Sequence, residues 1–193
     1  MSRINLRGVN DVLTVVVAIM CLYVLILPFW PLVQFRFKDK SVPFQITSQA
    51  TNKAAAEPRP TDNRLLIPKL GMSEQIHLGG AESLSKGVWL RPNGSVPSSD
   101  SNTVVVGHRF TYSISEAVFY HLDKVAVNDL IALYWNNQEF NYKVREVKVV
   151  PATAIEIEEP TVEPILTLYT CTPIWSAKDR LVVVADLIYK ETL

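Results

Sequence analysis

Short apolar runs separated by turn-forming residues recur along the carboxyl-terminal two thirds of the chain. Runs of this length, with apolar and polar positions alternating in several of them, are typical of β-strands. Asn136 and Asn137 lie between two runs, and asparagine tolerates the positive φ of a tight hairpin. We predict a mainly β domain of seven or eight strands, either a closed barrel or a sandwich. The runs lie at residues 65–70, 75–78, 103–108, 129–135, 139–150, 165–172 and 180–189, and two short helices are predicted at residues 81–86 and 115–122.

An uncharged stretch near the amino terminus covers residues 12–35. As a helix it would be about 36 Å long, which exceeds the roughly 30 Å of a bilayer's hydrocarbon core. A cleavable signal peptide would have a shorter apolar core followed by small residues, whereas Pro-Phe-Trp-Pro stands at residues 28–31. The stretch therefore predicts an uncleaved transmembrane signal anchor, and basic residues on both sides leave its orientation open.

The segment at residues 36–63 is rich in proline, alanine, threonine and charged residues and has little apolar periodicity. This composition predicts an extended tether between the anchor and the β domain. The rest of the chain, residues 64–193, is long enough for one hydrophobic core and short for two. We therefore predict a single folded domain after the tether.

The overall charge is balanced, with 19 basic and 19 acidic residues. The net charge is zero and the sequence has no concentrated basic patch, so nucleic-acid binding is not indicated. The sequence also has no Cys-x-x-Cys, His-Glu-x-x-His or phosphate-binding loop, so no metal and no cofactor is predicted.

Of the two cysteines, Cys21 lies in the predicted anchor and Cys171 lies in the predicted β domain. A disulfide between them is not expected, and an unpaired thiol in an exported domain calls for an explanation. Cys171 ends one strand-like run and Arg180 begins the next, so antiparallel pairing would place the two side by side. A nearby guanidinium favours the reactive thiolate. The alternative is that Cys171 acts only as a small buried apolar residue.

His108 follows a valine run and Gly107 at the end of a predicted strand. Such a position lifts the imidazole to the rim of the sheet, where it can exchange protons with a ligand. His77 and His121 have settings that favour structural or surface roles.

Three motifs resemble the His, Cys and Arg motifs of the sortase family. They are Gly-His-Arg at residues 107–109, Thr-Leu-Tyr-Thr-Cys at residues 167–171, and Arg180 before an apolar run. The resemblance covers about residues 64–190 and favours the closed sortase-like barrel over the sandwich. Residues 107–112 and 172–181 resemble housekeeping sortases of the class E type most closely.

The resemblance implies a mechanism for these residues. Cys171 would attack a peptide carbonyl and form a thioester, Arg180 would stabilise the oxyanion, and His108 would protonate the departing amine. Thr170 would orient the substrate or contribute to the oxyanion site. Arg109 is expected to be structural.

The resemblance also implies a location and a set of partners. Residues 1–11 would be cytoplasmic, residues 12–35 would lie among membrane lipids, and the tether and catalytic domain would be extracytoplasmic. The substrate would be a secreted protein with a carboxyl-terminal sorting signal similar to LPxTG, and the acceptor an amine of a cell-wall precursor or a pilin. Pilin-polymerising sortases often carry an Asp-Pro-aromatic lid and a second membrane helix; neither is evident, so wall anchoring is favoured over pilus assembly.

The acidic loop at residues 151–164 precedes the cysteine strand. Ile155 and Ile157 are expected to contact apolar side chains of the sorting signal. The carboxylates of the loop lack a recognisable calcium-ligand spacing, so a solvated acidic loop is favoured over a calcium site.

Two other classes of protein fit part of the pattern. One is a membrane-anchored β domain that binds peptides without catalysis, for which the thiol would be dispensable. The other is the L,D-transpeptidases, which also use cysteine and histidine. Their Ser-x-Gly-Cys motif differs from the residues at 167–171.

Overall fold

The computed structural model describes residues 6–27, 60–111 and 117–192. The chain divides into two compact units, Met1–Lys38 and Asp39–Leu193. In the first unit, helix α1 spans Leu6–Ile26. It ends before Pro28, since a proline disfavours helical backbone at the residue before it.

The predicted anchor at residues 12–35 lies only partly within the described part of the chain. Nowhere in residues 6–27, 60–111 and 117–192 is a helix both long and apolar enough to span a bilayer. The transmembrane helix is therefore not shown. Most of the predicted tether, residues 36–59, lies outside the described residues.

The second unit is a closed barrel of eight strands, which confirms the predicted fold class. The strands are β1 (Arg64–Ile67), β2 (Met72–His77), β3 (Val88–Leu90), β4 (Asn102–Val106), β5 (Leu130–Trp135), β6 (Gln138–Pro151), β7 (Ile165–Thr172) and β8 (Asp179–Thr192). The order around the barrel is β1-β2-β3-β4-β7-β8-β6-β5. The β2–β3 and β4–β7 pairs are parallel and the other six pairs are antiparallel.

Alternation along β7 and β8 separates the barrel interior from its outer face. Leu166 and Leu168 of β7 and Val183 of β8 are fully buried in the main core. Tyr169 and Cys171 have the opposite parity and therefore lie on the outer face. The alternation along β7 thus places the thiol of Cys171 outside the packed interior of the barrel.

Several elements differ from the predicted ones. The strand predicted over residues 65–70 stops at Ile67, because Pro68 begins a short 3₁₀ helix. Strand β3 was not predicted, since its three residues are all buried and show no alternation. Residues 112–116 are not described, so only part of the helix predicted at residues 115–122 is; there the described chain forms turns, and a 3₁₀ helix follows at Leu122–Lys124.

Two local predictions are confirmed. Asn136 and Asn137 have φ angles of 47° and 64° and join β5 to β6 as a tight hairpin. A helical segment is present at Ala81–Lys86, in 3₁₀ form.

Candidate active site

Cys171 lies near the end of β7 and is directly opposite Arg180 of β8. The predicted antiparallel pairing of the two residues is confirmed. Directly opposed residues have Cβ atoms about 4.5–5.5 Å apart and project from the same face of the sheet. The thiol is partly exposed. A cation and a thiol therefore share one accessible edge of the barrel.

The Arg180 guanidinium is held by backbone carbonyls of the β7–β8 connection. Nη1 donates to the carbonyl oxygens of Ala177 at 3.0 Å and Asp179 at 3.1 Å. Within the described residues, no carboxylate forms an ion pair with Arg180. The charge of Arg180 is thus available to a developing negative charge beside Cys171.

His108 reaches the same edge from the neighbouring parallel strand. Val106 of β4 is in register with Tyr169 of β7, and the Gly107 N–H donates to the Tyr169 carbonyl at 3.4 Å. The carbonyl of His108 accepts a hydrogen bond of 2.9 Å from the Phe119 N–H. Burial lowers the pKa of His108, which favours the neutral imidazole, a proton acceptor, near pH 7.

Gly107 is required by the close packing before the histidine. A Cβ at this position would lie 2.7 Å from side-chain atoms of both Phe119 and Val118. Only glycine fits there without displacing these neighbours. The β4 strand can therefore leave the sheet and present His108 directly at its end.

Thr170 joins the histidine segment to the cysteine strand. Its hydroxyl donates to the Gly107 carbonyl at 2.7 Å, and the residue is 1% exposed. The sequence predicted that Thr170 orients substrate or contributes to the oxyanion site. The observed hydrogen bond joins the hydroxyl, inside the protein, to the segment that carries His108, and the substrate or oxyanion role of Thr170 stays a prediction.

Arg109 links the other side of the histidine to the end of β7. Its Nη1 donates to the Thr172 hydroxyl at 2.9 Å, and its Nη2 lies 3.3 Å from a carboxylate oxygen of Asp123. The side chain is only 12% exposed. These contacts fit the structural role expected for Arg109.

The loop between β6 and β7 lies over the outer face of β4 and β7. Asn102 Nδ2 donates to the carbonyls of Ile157 at 3.1 Å and Glu159 at 3.0 Å. Ile155 is 77% exposed, whereas Ile157 packs against an apolar cluster that includes Val182 of β8. Of the two isoleucines predicted to contact substrate, Ile155 is exposed and Ile157 is half-buried against the barrel, and contact of either with a substrate stays a prediction.

Sequence reasoning did not single out the interaction of Arg91, Glu158 and Tyr169. Arg91 Nε lies 3.0 Å from both carboxylate oxygens of Glu158, and the Tyr169 hydroxyl donates to one of them. Glu158 is one of four glutamates in the loop, and Arg91 is 67 positions away from it. No local pattern distinguishes this glutamate from the other three.

Among the residues that the structure describes, no group of three His, Cys, Asp or Glu side chains is placed to hold a metal ion.

Residues 65–188 match the family model of the Sortase domain. Sortase C1 of GBS Pilus Island 1 is 27% identical, with 66% of this chain and 64% of that chain covered and a TM-score of 0.61. The Clostridium perfringens Sortase D5 transpeptidase is 27% identical, with coverages of 67% and 79% and a TM-score of 0.59.

Sortase A of Listeria monocytogenes shares the fold at 23% identity, with coverages of 69% and 90% and a TM-score of 0.61. The chain spans less than two thirds of the length of the GBS enzyme. No curated protein sequence matches the chain. Since the family model covers the barrel from β1 into β8, including Cys171, His108 and Arg180, the chain belongs to the sortase family.

Proposed function

We propose that this protein is a cysteine transpeptidase that cleaves a sorting signal through a thioester and transfers the acyl group to an amine. The observation that carries the proposal is the cross-strand pair of Cys171 and Arg180, with His108 presented from the adjacent parallel strand. Nucleophile, cation and proton carrier then belong to one edge of one barrel. This is the combination that acyl transfer requires.

In the first half-reaction, the neutral imidazole of His108 accepts the thiol proton of Cys171. The thiolate attacks the scissile carbonyl carbon, and Arg180 stabilises the resulting oxyanion. When the intermediate collapses, the peptide C–N bond breaks and the imidazolium gives its proton to the departing amine. The products are a thioester on Cys171 and a free amine.

In the second half-reaction, the acceptor amine attacks the thioester carbonyl. The amine loses a proton to His108, a new amide bond forms, and the C–S bond breaks to return Cys171. Water in place of the amine gives hydrolysis. Neither half-reaction needs a metal or cofactor from this chain.

The proposed substrate is a secreted protein with an LPxTG-like sorting signal, and the proposed acceptor is a cell-wall amine. The motif resemblance at residues 107–112 and 172–181 to housekeeping sortases of the class E type supports this choice. The second candidate is pilin polymerisation. It is supported by the similarity to sortase C structures, among them the Streptococcus pneumoniae enzyme that is described with pilin substrate specificity and is 27% identical.

We place this activity at the cell surface, with residues 12–35 as the proposed membrane attachment. Fractionation of cells that express the full chain, with and without residues 1–35, tests this location. Recovery of both forms in the soluble fraction would contradict it.

The function is tested with the full chain, a set of sorting-signal peptides and amine acceptors of the wall and pilin types. We expect an acyl adduct on the tryptic peptide that contains Cys171, and an amide product whose yield increases with acceptor concentration. Binding of peptides without adduct or turnover would instead support the non-catalytic peptide-binding alternative.

A further inference from the structure

Three charged or polar side chains from distant parts of the chain meet on the outer face of the barrel. Arg91 follows β3, Glu158 ends the 3₁₀ helix Ile155–Glu158, and Tyr169 lies in β7. The Arg91 Nε–H is shared between the two Glu158 oxygens at 3.0 Å each, and the Tyr169 hydroxyl donates to Glu158 Oε1. We call these three residues the Glu158 network.

Tyr169 places this network beside the nucleophile. It is two positions before Cys171, and side chains two apart on a strand project from the same face. Its ring packs against the cluster of Trp89, Val104 and Val106 and against a second cluster around Val182. Tyr169 is only partly buried, so it contributes to the outer surface on the strand face that it shares with Cys171.

The loop that supplies Glu158 is held on the barrel by further hydrogen bonds. Asn102 binds the carbonyls on both sides of Glu158, at Ile157 and Glu159. The Ser101 hydroxyl donates to the Thr161 carbonyl at 2.9 Å and accepts from the Thr161 N–H at 3.0 Å. The loop is thus fixed at its backbone on β4, and Glu158 adds the side-chain link to β7.

The pKa values of Tyr169 and Arg91 are both raised in this network, so both side chains stay protonated. Burial raises the pKa of Tyr169, and the hydrogen bond to Glu158 raises it further, so the hydroxyl remains a donor at physiological pH. Burial alone would lower the pKa of Arg91, but its hydrogen bond to Glu158 and its charge interactions with Tyr169 and Glu158 outweigh burial, so the pKa is raised. The Arg91 guanidinium also lies 4.7 Å from the Trp89 ring centre.

We propose that Glu158 is a positioning residue for the sorting signal. It fixes the Tyr169 ring and the loop that carries exposed Ile155 in one arrangement, and the peptide binds against this preformed surface. The inference rests on the proposed function. Its physical basis is preorganisation, since a loop that is already ordered costs less conformational entropy when the peptide binds.

The test compares Glu158→Gln and Tyr169→Phe with Glu156→Gln in the full chain. Glu156 belongs to the same 3₁₀ helix, is exposed and has no ion pair among the described residues. Tyr169→Phe keeps the ring and removes only the hydroxyl. The assays are kcat and KM for a sorting peptide, and the alkylation rate of Cys171 followed on its own tryptic peptide.

We expect KM to rise about tenfold in Glu158→Gln and Tyr169→Phe, since a hydrogen bond to a charged group is lost. The kcat and the alkylation rate should stay within about twofold of the wild type. The double variant should be little worse than either single variant, because both break one interaction. Glu156→Gln should behave as the wild type.

Unchanged KM in both network variants would overturn the inference. Equal losses in kcat and in alkylation rate would also overturn it, because they would indicate damage at Cys171. A wild-type chain that turns over no sorting peptide would overturn the proposed function instead. Hydrogen exchange of the backbone amides at residues 155–159 tests separately whether Glu158 holds the loop in place. Faster exchange in Glu158→Gln supports it, and unchanged exchange refutes it.

Discussion

Replacing Thr170 by valine separates two possible roles of this threonine, which directly precedes Cys171. The substitution keeps a side chain of similar shape at a buried position and removes the hydroxyl that donates to the Gly107 carbonyl at 2.7 Å. Since Gly107 is itself buried, its carbonyl loses that partner inside the protein. Leaving a buried acceptor unsatisfied costs about 1–3 kcal/mol in the free energy of unfolding.

This cost translates into a measurable change in thermal stability. For a domain of this size, each kcal/mol shifts Tm by roughly 3–6 °C, so we expect a decrease of roughly 3–18 °C. The segment that carries His108 also loses one of its attachments to β7. A displacement of about 1 Å at a reacting group can lower kcat by up to about a hundredfold.

The assay measures Tm by circular dichroism, together with kcat and KM for a sorting peptide, on full-length Thr170→Val. Thr170→Ser is the matched control, because it retains the hydroxyl. We expect Thr170→Val to lower Tm and kcat while KM changes little, and Thr170→Ser to recover most of both losses. Wild-type Tm with a raised KM in Thr170→Val would refute the positioning role and support direct substrate contact.

Further predictions concern the other residues of the site. Cys171→Ala should abolish the acyl adduct and all turnover. Arg180→Ala should reduce kcat at least about a hundredfold, because oxyanion stabilisation is lost. Near-normal rates in either variant would remove that residue from the mechanism. Ile155→Ser should raise KM without changing Tm, whereas Ile157→Ser should lower Tm by roughly 3–10 °C, because only Ile157 packs on the barrel; equal effects on Tm would contradict this division. The folded state holds the pKa of His108 below its unfolded value of 6.5, so the unfolded state binds more protons and the free energy of unfolding should fall as the pH drops from about 7.5 towards 5. His108→Gln should show a shallower fall over that range, and identical slopes in urea titrations would contradict the burial of the imidazole.

The strand pattern of this chain was largely readable from its sequence. Asn136 and Asn137 specify their hairpin because both positions require positive φ. The eight-strand closure could not be derived from local patterns, since β3 is three residues long and buried throughout. Periodicity identifies a strand only when its two faces differ.

The pairing of Cys171 with Arg180 was predictable, because it joins two strands that are consecutive in the sequence. Cys171 and Arg180 are nine positions apart, so an antiparallel turn is enough to bring them together. The hydrogen bond of Thr170 was not predictable, because it joins two residues that are 63 positions apart. The same holds for Arg91 and Glu158, whose pairing depends on the three-dimensional placement of one loop.

The parallel pairing of β4 and β7 also determines when during folding the site can exist. Because β5 and β6 lie between them in sequence, the β4–β7 contacts close a loop of about sixty residues, and such long-range contacts form slowly. The strand ends that carry His108 and Cys171 therefore come together only after most of the chain has been synthesised and the barrel has begun to close. In the proposed mechanism, a partly folded chain would carry the thiol without its proton acceptor, so the proposed acyl transfer would be confined to molecules that have completed the barrel.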